Sequence, residues 1–443
     1  MTRRIPFLLT CPLLLLATGC VLVVESGPDR PADYHYRSGD VVRRFEVWAD
    51  GPIAFTPNDA AVASIGPGGF LYIEERRAFR TRRVRVEPTG AGRLEITHTV
   101  NGRDQGDGAD SREALAAVFG RVARQTTIGV EARVARLLSA GGANAVLDAV
   151  EQVDGSRVVS RYLRELLGQT RLSHADLRRV AALADQRIPS SGARAAFLID
   201  AWPSYAAQEP ALDGYFEAVG GIPSGASRAR VLAELLEDDL TPALLRQVLA
   251  AAAEVPSAGA TARVLVLAVP HYVPDAPVRE AFFEAVDAVP SGGERARVLM
   301  TLIGAGAPDV ATLASLLRSA ARIPGNESKT QVLVAATRHY RNDPAIRDAF
   351  FPAVRAIASS AGQSRVLVAL LDREDVDGDT YRAVILTAGE ISSNGEKTRV
   401  LLAAADRVRG NPELLAVYEE VARTLASREE RRRALAAMTA PNR

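Results

Sequence analysis

Cysteine is nearly missing from this chain of 443 residues: Cys11 and Cys20 are the only two, and both precede residue 21. A disulfide framework, a cysteine zinc site and a cysteine nucleophile are therefore excluded from the rest of the chain. An excess of charge is missing too, because 54 Lys and Arg residues face 53 Asp and Glu residues. Without a net field, we expect no general attraction to nucleic acid. Aromatic residues make up only 5%, which favours helices packed through small aliphatic side chains.

The sequence also lacks the residue patterns of common active sites. The five histidines lie far apart, and none has the spacing of a zinc ligand set. A Gly-x-Ser-x-Gly nucleophile elbow is missing, and the glycine pairs lack the strand and helix context of a nucleotide site. We therefore expect a protein that is not an enzyme and that needs no cofactor or metal.

The first twenty residues have the parts of an export signal. Two arginines precede an apolar stretch over residues 5–16, and residues 16–20 read Leu-Ala-Thr-Gly-Cys. This pattern resembles the lipobox of bacterial lipoproteins, although Ala17 stands where that family more often has Leu. The resemblance implies a signal peptide over residues 1–19 that is cleaved before an acylated Cys20. An ordinary secretory signal and an uncleaved transmembrane helix are the alternatives.

The residues after the cysteine bear on location. Residues 20–38 are predicted to form a flexible tether, because residues 25–38 are mostly polar and include Pro28 and Pro31. In the lipoprotein family an Asp directly after the cysteine implies retention in the inner membrane, whereas this chain has Val21. We therefore expect a protein of the cell envelope that is anchored through lipid in the outer membrane and faces the periplasm.

Residues 39–102 alternate apolar and polar side chains with a period of two, which predicts a small antiparallel β domain. Strands are expected at residues 42–49, 70–75, 82–87 and 93–100. A linker and leading helices are expected over residues 103–138, with Ser111 as the cap of the first helix.

An arginine-rich stretch lies inside this domain, at residues 76–85, and contains no acidic residue. Its arginines are Arg76, Arg77, Arg80, Arg82, Arg83 and Arg85. One edge or hairpin of the domain is therefore expected to carry a basic patch. Protection of a sheet edge by charge is one interpretation. Contact with lipid head groups or with a cell-wall polymer is the other.

From residue 139 to the C-terminus, one apolar position recurs about every 34 residues, and we name it the mark residue. The mark residues are Val153, Ile188, Ile222, Val255, Val289, Ile323, Ile357, Ile391 and Leu425. Helix-capping residues stand fourteen positions before six of them, at Thr241, Asp275, Asp309, Asp343, Asp377 and Asn411. This repeat predicts helical hairpins that must stack, because neither helix buries its apolar stripe alone. The expected fold is mainly α: an α-solenoid of about eight 34-residue hairpins over residues 139–443, preceded by the small antiparallel β domain.

The repeats resemble HEAT-like arrays in style, since the signature of tetratricopeptide repeats is missing from every unit. Residues 51–75, together with the Ile-Pro-Ser form of the marks, also resemble the extracytoplasmic region of BlaR1-like membrane sensors of the M56 peptidase family. The chain lacks that family's His-Glu-x-x-His motif and its several membrane spans. The resemblance implies a stand-alone relative of the sensor region, without the peptidase.

A longer period of 68 residues is superimposed on the first. Aromatic pairs alternate with aliphatic pairs in successive units. Three successive units, for example, carry Phe282-Phe283, then Leu316-Leu317, then Phe350-Phe351. The aromatic units also carry Tyr205, Tyr272 and Tyr340, with His271 and His339 before the last two. Interdigitated packing of large and small layers is one interpretation. The other is a strip of candidate partner-binding residues, because Tyr gives a large contact area with few rotatable bonds.

A ladder of arginines stands eight residues after the mark. Its members are Arg161, Arg230, Arg263, Arg297, Arg365 and Arg399. Ion pairs between units are the first interpretation, and a stripe that binds an anionic ligand is the alternative.

These observations favour a membrane-anchored envelope lipoprotein that acts as a non-enzymatic scaffold for a protein or a polymer. The alternative is a sensory or regulatory ectodomain that works with a membrane protease or another signalling partner, as the sensor resemblance implies.

Overall fold

The computed structural model describes residue 28, residues 31–90 and residues 92–439. The chain divides into two compact units, Met1–Arg133 and Val134–Arg443. We name them the β unit and the repeat unit.

The β unit is built on one antiparallel sheet. Its strands are β1 (Tyr34–Gly39), β2 (Arg43–Asp50), β3 (Ile53–Phe55), β4 (Val62–Ile65), β5 (Phe70–Arg77), β6 (Arg80–Pro88), β7 (Leu94–Val100) and β8 (Arg103–Asp104). Six of them form the sheet in the order β1-β2-β5-β6-β7-β8, and β3 pairs with β4 separately. The four predicted strands are confirmed as β2, β5, β6 and β7.

Helix α1 (Ala109–Gln125) completes the core of this unit. Val118, Phe119 and Val122 of α1 share one hydrophobic cluster with Phe45 and Val84 of the sheet. Residues 103–138 were predicted to form a linker and leading helices, and α1, which lies among them, packs as part of the β unit.

Two further expectations for this region are corrected. Residues 34–38 were expected in the tether, but they lie in β1, where Tyr34 and Tyr36 pack against the core. Ser111 was expected to cap α1, but Gly108 is the N-cap. Ser111 is buried instead, with its Oγ 2.7 Å from Nδ1 of His98.

The repeat unit consists of helices. Helix α2 (Val130–Gln152) leads into it and is interrupted by non-helical backbone at Gly141 and Gly142. The others are α3 (Ser156–Gln169), α4 (His174–Arg187), α5 (Ser191–Ala206), α6 (Leu212–Gly220), α7 (Gly225–Leu235), α8 (Pro242–Ala253), α9 (Ala258–Ala268), α10 (Ala276–Ala288), α11 (Gly292–Gly304), α12 (Val310–Ala321), α13 (Asn326–Ala336), α14 (Pro344–Arg355), α15 (Ser360–Leu371), α16 (Gly378–Gly389), α17 (Asn394–Val408), α18 (Pro412–Arg423) and α19 (Arg428–Thr439). Short 3₁₀ helices lie at Glu209–Ala211, Val269–His271 and Thr337–His339.

Helices α3 to α18 form eight hairpins, and each hairpin ends at a mark residue, while the remaining mark, Val153, precedes α3. The first helix of a hairpin packs against the first helices of its neighbours, and the second helix packs against neighbouring second helices. The mark residues are buried because they close the turn between successive hairpins. The predicted fold class is confirmed: a helical repeat array follows a small antiparallel β domain.

The expected helix caps are in place. Thr241, Asp275, Asp309, Asp343, Asp377 and Asn411 are the N-caps of α8, α10, α12, α14, α16 and α18. All of these side chains except that of Asp275 accept a hydrogen bond from a main-chain N–H of the first turn. Because the first N–H groups of a helix have no partner within it, these bonds fix where each second helix begins.

The 68-residue period is a feature of packing. Helix α8 packs closely on α10, and α12 packs closely on α14, whereas the junctions between α10 and α12 and between α14 and α16 are looser. A tyrosine bridges each looser junction: the Tyr272 hydroxyl lies 2.9 Å from Oγ1 of Thr312, and that of Tyr340 lies 3.1 Å from Oγ1 of Thr380. Two hairpins, rather than one, are therefore the repeating unit of this packing.

A second ladder of polar side chains closes the turns, six residues after each mark from Ile188 onward, and sequence reasoning missed it. We name its members the clamp residues. Six of them donate to the carbonyl oxygen of their own mark residue: Arg194, Arg228, Thr261, Arg295, Gln363 and Arg431. The last carbonyl groups of a helix lack partners within it, so these donors satisfy acceptors that would otherwise be buried unpaired.

Some clamp residues also reach the end of the second helix of their own hairpin. Nη1 of Arg194 donates to the Gly221 carbonyl over 2.8 Å, and Nζ of Lys329 donates to the Ala356 carbonyl over 2.6 Å. The clamp therefore joins the end of one hairpin to both helices of the next hairpin. The sequence signal was a run of Arg, Thr, Lys and Gln at one position of the repeat, two residues before the arginine ladder.

Candidate functional site

Three turns lie together at one end of the sheet in the β unit. They connect β1 to β2, β5 to β6 and β7 to β8, because these strands alternate in direction. The first two turns touch: the main-chain N–H of Ala78 donates to the carbonyl of Val42 over 2.9 Å. We name residues 40–44 and 76–80 the sheet tip.

Apolar side chains form the outermost part of the sheet tip. Phe79 is 98% exposed, Val41 is 78% exposed and Val42 is 57% exposed. Ala78 has a φ of 48°, in the left-handed region, and so turns the chain sharply just before Phe79. The tight turn therefore presents an aromatic ring to solvent.

Arginines surround these apolar residues. They line a cleft of about 500 Å³ whose walls are Arg43, Arg44, Arg76, Arg77, Ala78 and Arg121. Arg121 comes from α1, and its guanidinium also lies 4.2 Å from the centre of the Phe45 ring. Arg80, at the start of β6, is exposed beside the cleft.

Two buried carboxylates lie beneath the arginines. Glu75 pairs with Arg77 at 2.7 Å and with Arg121 at 2.8 Å. Glu74, 1% exposed, pairs with Arg76 at 3.2 Å and with Arg83 at 3.0 Å. These pairs orient the guanidinium groups while neutralising only part of their charge. The sheet tip therefore keeps an excess of positive charge.

The structure places the six arginines of the predicted basic patch on one hairpin, β5–β6. Both strands are interior strands of the sheet, so the interpretation that the arginines protect a sheet edge is wrong. Arg85 lies away from the tip and pairs with Glu87 at 2.9 Å. Arg82 is largely buried and pairs with Glu75 at 3.4 Å. The patch that faces solvent is thus smaller along β6 than the sequence suggested, and it extends onto β2 and α1.

Sequence reasoning missed Arg43, Arg44, Arg121 and Phe79. A Gly-Asp turn followed by Val-Val-Arg-Arg was a local signal for the first two. Arg121 could not be assigned from the sequence, because its position depends on how α1 packs on the sheet.

The predicted tyrosine strip is wrong at two of its three positions. Tyr205 is fully buried and donates its hydroxyl to the Leu177 carbonyl over 2.6 Å. Tyr340 is 3% exposed and packs against Phe350 with ring centres 5.3 Å apart. Burial raises the pKa of both phenols, that of Tyr340 to about 12. These side chains belong to the packing between hairpins, which was the other interpretation of the 68-residue period.

Tyr272 is half-buried and also bonds within the array, to Thr312. His271 and His339 are half-buried, and Nε2 of His339 lies 3.2 Å from the Ile303 carbonyl. The three tyrosines therefore differ in their surroundings, and together with the histidines they do not form one continuous exposed strip.

A groove lies between α7 and α9 of the repeat unit, and one predicted residue, His271, lines it. Its volume is about 890 Å³. Small side chains leave it open, since Ala226, Ala229, Ala233, Gly259 and Ala260 line it. Arg230 and Arg263 of the arginine ladder flank it, with Glu234, Glu237 and Leu267.

The arginine ladder makes mixed contacts. Arg365 pairs with Glu327 of the preceding hairpin at 3.2 Å, as the first interpretation predicted. Arg161 and Arg297 instead pair within their own helices, with Glu165 and Glu294. Pairing between units is therefore not a property of the whole ladder.

Among the residues that the structure describes, no group of three or more His, Cys, Asp or Glu side chains is arranged to hold a metal ion. In the same residues, no helix is long and apolar enough to cross a membrane. Cys20, the predicted acylation site, lies outside the described residues.

Comparison with known proteins returned no match: neither a family model, nor a curated protein, nor a solved structure resembles this chain significantly.

Proposed function

We propose that this chain is an exported lipoprotein, anchored through Cys20, whose helical repeats act as a non-enzymatic scaffold for a protein or a polymer of the cell envelope. The lipobox-like pattern before Cys20 supports the anchor. The groove between α7 and α9 supports the binding role and is the observation that carries the proposal.

The groove has the chemistry of a binding surface for an extended partner. Leu267 is 41% exposed on it, so an apolar contact is available. Arg230, Arg263, Glu234 and Glu237 add charges of both signs. Ligand sites combine such an apolar surface with a few polar groups that fix orientation, and helical arrays bind partners on the extended surfaces of their stacked units.

Site-specific photo-crosslinking in cells tests the binding role. A photoreactive amino acid replaces Leu267, and in a matched control it replaces Leu386, which is 45% exposed on α16. We expect a discrete crosslinked product from position 267 and none of that size from position 386. Ala226→Trp should abolish the product, because Ala226 is exposed and a large ring there fills the groove without entering the core. Equal products from both positions, or none at 267, would contradict the proposal.

The anchor is tested separately with Cys20→Ala. We expect this variant to leave the membrane fraction or to remain unprocessed, because Cys20 provides the only thiol available for acylation after cleavage. Unchanged migration and unchanged membrane extraction would instead support an uncleaved transmembrane anchor.

A further inference from the structure

We propose that the sheet tip is a membrane-docking surface: Phe79, Val41 and Val42 enter the surface of an anionic bilayer, and the arginines around them bind lipid phosphates. This inference concerns the β unit and rests neither on the anchor at Cys20 nor on the groove between α7 and α9.

The apolar residues lie where they can insert into the surface of a bilayer. They occupy two adjacent turns, joined by the hydrogen bond from Ala78 to Val42, and Phe79 is 98% exposed. Exposed large apolar side chains are common singly, but three on touching turns form a patch that requires an explanation. Because they lie on turns at the end of the sheet, they can leave water without any change in the fold.

The charges around the patch match an anionic lipid surface. Arg43, Arg77 and Arg80 are exposed beside the apolar residues, and Arg44 and Arg76 line the cleft next to them. Guanidinium groups bind phosphate oxygens through paired hydrogen bonds, and basic residues are attracted to anionic lipid surfaces. The sheet tip holds one acidic residue, Asp40, which is exposed and accepts hydrogen bonds from the main-chain N–H groups of Val42 and Arg43. Glu75 is buried, so the arginines of the sheet tip outnumber its exposed carboxylate.

The combination of residues favours a bilayer over a soluble anion. Inorganic phosphate or an acidic polymer would use the arginines and leave Phe79 in water. At the boundary between head groups and acyl chains, an aromatic ring is buried while adjacent basic groups reach the phosphates. Only the bilayer uses both the apolar residues and the arginines of the sheet tip.

Partitioning onto lipid vesicles tests the inference. The chain is prepared without residues 1–20, which keeps the described residues of both units and removes the apolar N-terminal segment and Cys20. We expect it to sediment with vesicles of phosphatidylcholine and phosphatidylglycerol and to bind much less to phosphatidylcholine alone. Phe79→Ala should weaken partitioning about tenfold, because it removes most of the apolar surface that is buried. Arg43→Ala or Arg80→Ala should each weaken it about fivefold.

Arg93→Ala is the matched control, because Arg93 is exposed near the opposite end of the same sheet. It should change partitioning much less than Arg43→Ala, whereas an equal loss would indicate attraction by net charge alone and would overturn the inference. The four substitutions affect exposed side chains, so circular dichroism should show an unchanged fold.

Depth in the bilayer gives an independent measurement. Phe79→Trp should be quenched by lipids that carry bromine on their acyl chains, while Thr89→Trp, at the other end of the sheet, should not be. The parent chain supplies the background from Trp48 and Trp202. The inference is overturned by an absence of vesicle binding, by partitioning that does not depend on Phe79, or by equal capture of a soluble polyphosphate that the Phe79→Ala variant retains.

Discussion

The β unit and the repeat unit satisfy their buried polar groups in different ways. In the β unit, buried polar side chains interact with other side chains: Glu75 forms ion pairs with Arg77, Arg82 and Arg121, and His98 forms a hydrogen bond with Ser111. In the repeat unit, several buried side-chain donors form hydrogen bonds with main-chain carbonyl oxygens.

Clamp residues show the second arrangement at successive turns. Arg194 donates to the Ile188 carbonyl over 3.0 Å, and Thr261 donates to the Val255 carbonyl over 3.2 Å. A main-chain acceptor is present in every hairpin whatever its sequence, so the clamp position can be Arg, Thr, Lys or Gln. A buried carboxylate of the sheet such as Glu75 needs cationic partners, so we expect exchange to be less tolerated there. Repetition therefore makes polar contacts tolerant, while the sheet depends on particular pairs.

The largest expected effect comes from Tyr205, which combines aromatic packing with a main-chain bond. Tyr205→Ala should cost about 3–5 kcal/mol of the free energy of unfolding, because it opens a cavity next to Tyr215. Tyr205→Phe should cost only about 1 kcal/mol, for the lost hydrogen bond. Denaturant titration measures both. A cost below about 1 kcal/mol for Tyr205→Ala would mean that the residue is not part of the core.

Arg194→Ala should cost about 3 kcal/mol, since it leaves the carbonyls of Ile188 and Gly221 without their donor. Arg194→Lys should recover part of the loss, because lysine occupies the same position in two other hairpins. The control is Arg230→Ala at an exposed arginine, expected within about 0.5 kcal/mol of the parent. If Arg194→Lys were as damaging as Arg194→Ala, the clamp position would not be tolerant and the contrast with the sheet would fail.

Glu75→Gln should cost about 2 kcal/mol, mainly through Arg82 and Arg121, because Arg77 is exposed and its interaction is screened by solvent. Hydrogen exchange should become faster in β5 and β6, with helices α8 to α18 unchanged. Glu87→Gln removes a half-exposed pair with Arg85 and should have a smaller effect. Faster exchange throughout the repeat unit would contradict this expectation, because it would show that the ion pairs of the sheet also stabilise the repeat unit.

The smallest effect is a pH dependence from His98. Burial, and then the charge of Arg82, lower the pKa of His98 below its ordinary value. The unfolded chain therefore takes up this proton first, and stability should fall as pH drops below about 6.5. His98→Gln should remove that part of the pH dependence in unfolding titrations between about pH 7 and about pH 5. An unchanged slope would exclude His98 as its source.

The sequence was informative wherever the cause of structure is local and repeated. N-cap residues, apolar stripes and the mark residue act within one hairpin, and their recurrence predicted the helical array. The 68-residue period was also visible, although the direction of the Tyr205 side chain was not. Whether that ring faces solvent or a neighbouring hairpin depends on helix packing, which no single-hairpin pattern contains.

The sheet tip shows the opposite case. Residues 76–85 were recognisable as basic, but the order of strands in the sheet decided their role. Pairing of β2 with β5 brings Arg43 beside Arg77, and the packing of α1 adds Arg121. Ser111 illustrates a smaller error, because Gly108 begins the helix three residues earlier and places the serine beside His98.

The central claim is that two hairpins form the repeating unit of packing, and two deletions test it directly. Removal of residues 289–356 takes out 68 residues, keeps the alternation of aromatic and aliphatic second helices, and puts Thr380 in the place of Thr312 opposite Tyr272. Removal of residues 323–356 takes out 34 residues, brings two aliphatic helices, α12 and α16, together, and deprives α12 of its close neighbour α14.

Thermal unfolding of the two deletion variants is the deciding measurement. We expect both to fold, since each hairpin contacts chiefly its neighbours, but the 68-residue deletion should melt cooperatively and at the higher temperature even though it is the shorter chain. A 34-residue deletion that melts at the same or a higher temperature would contradict the claim and restore the single hairpin as the unit of the array.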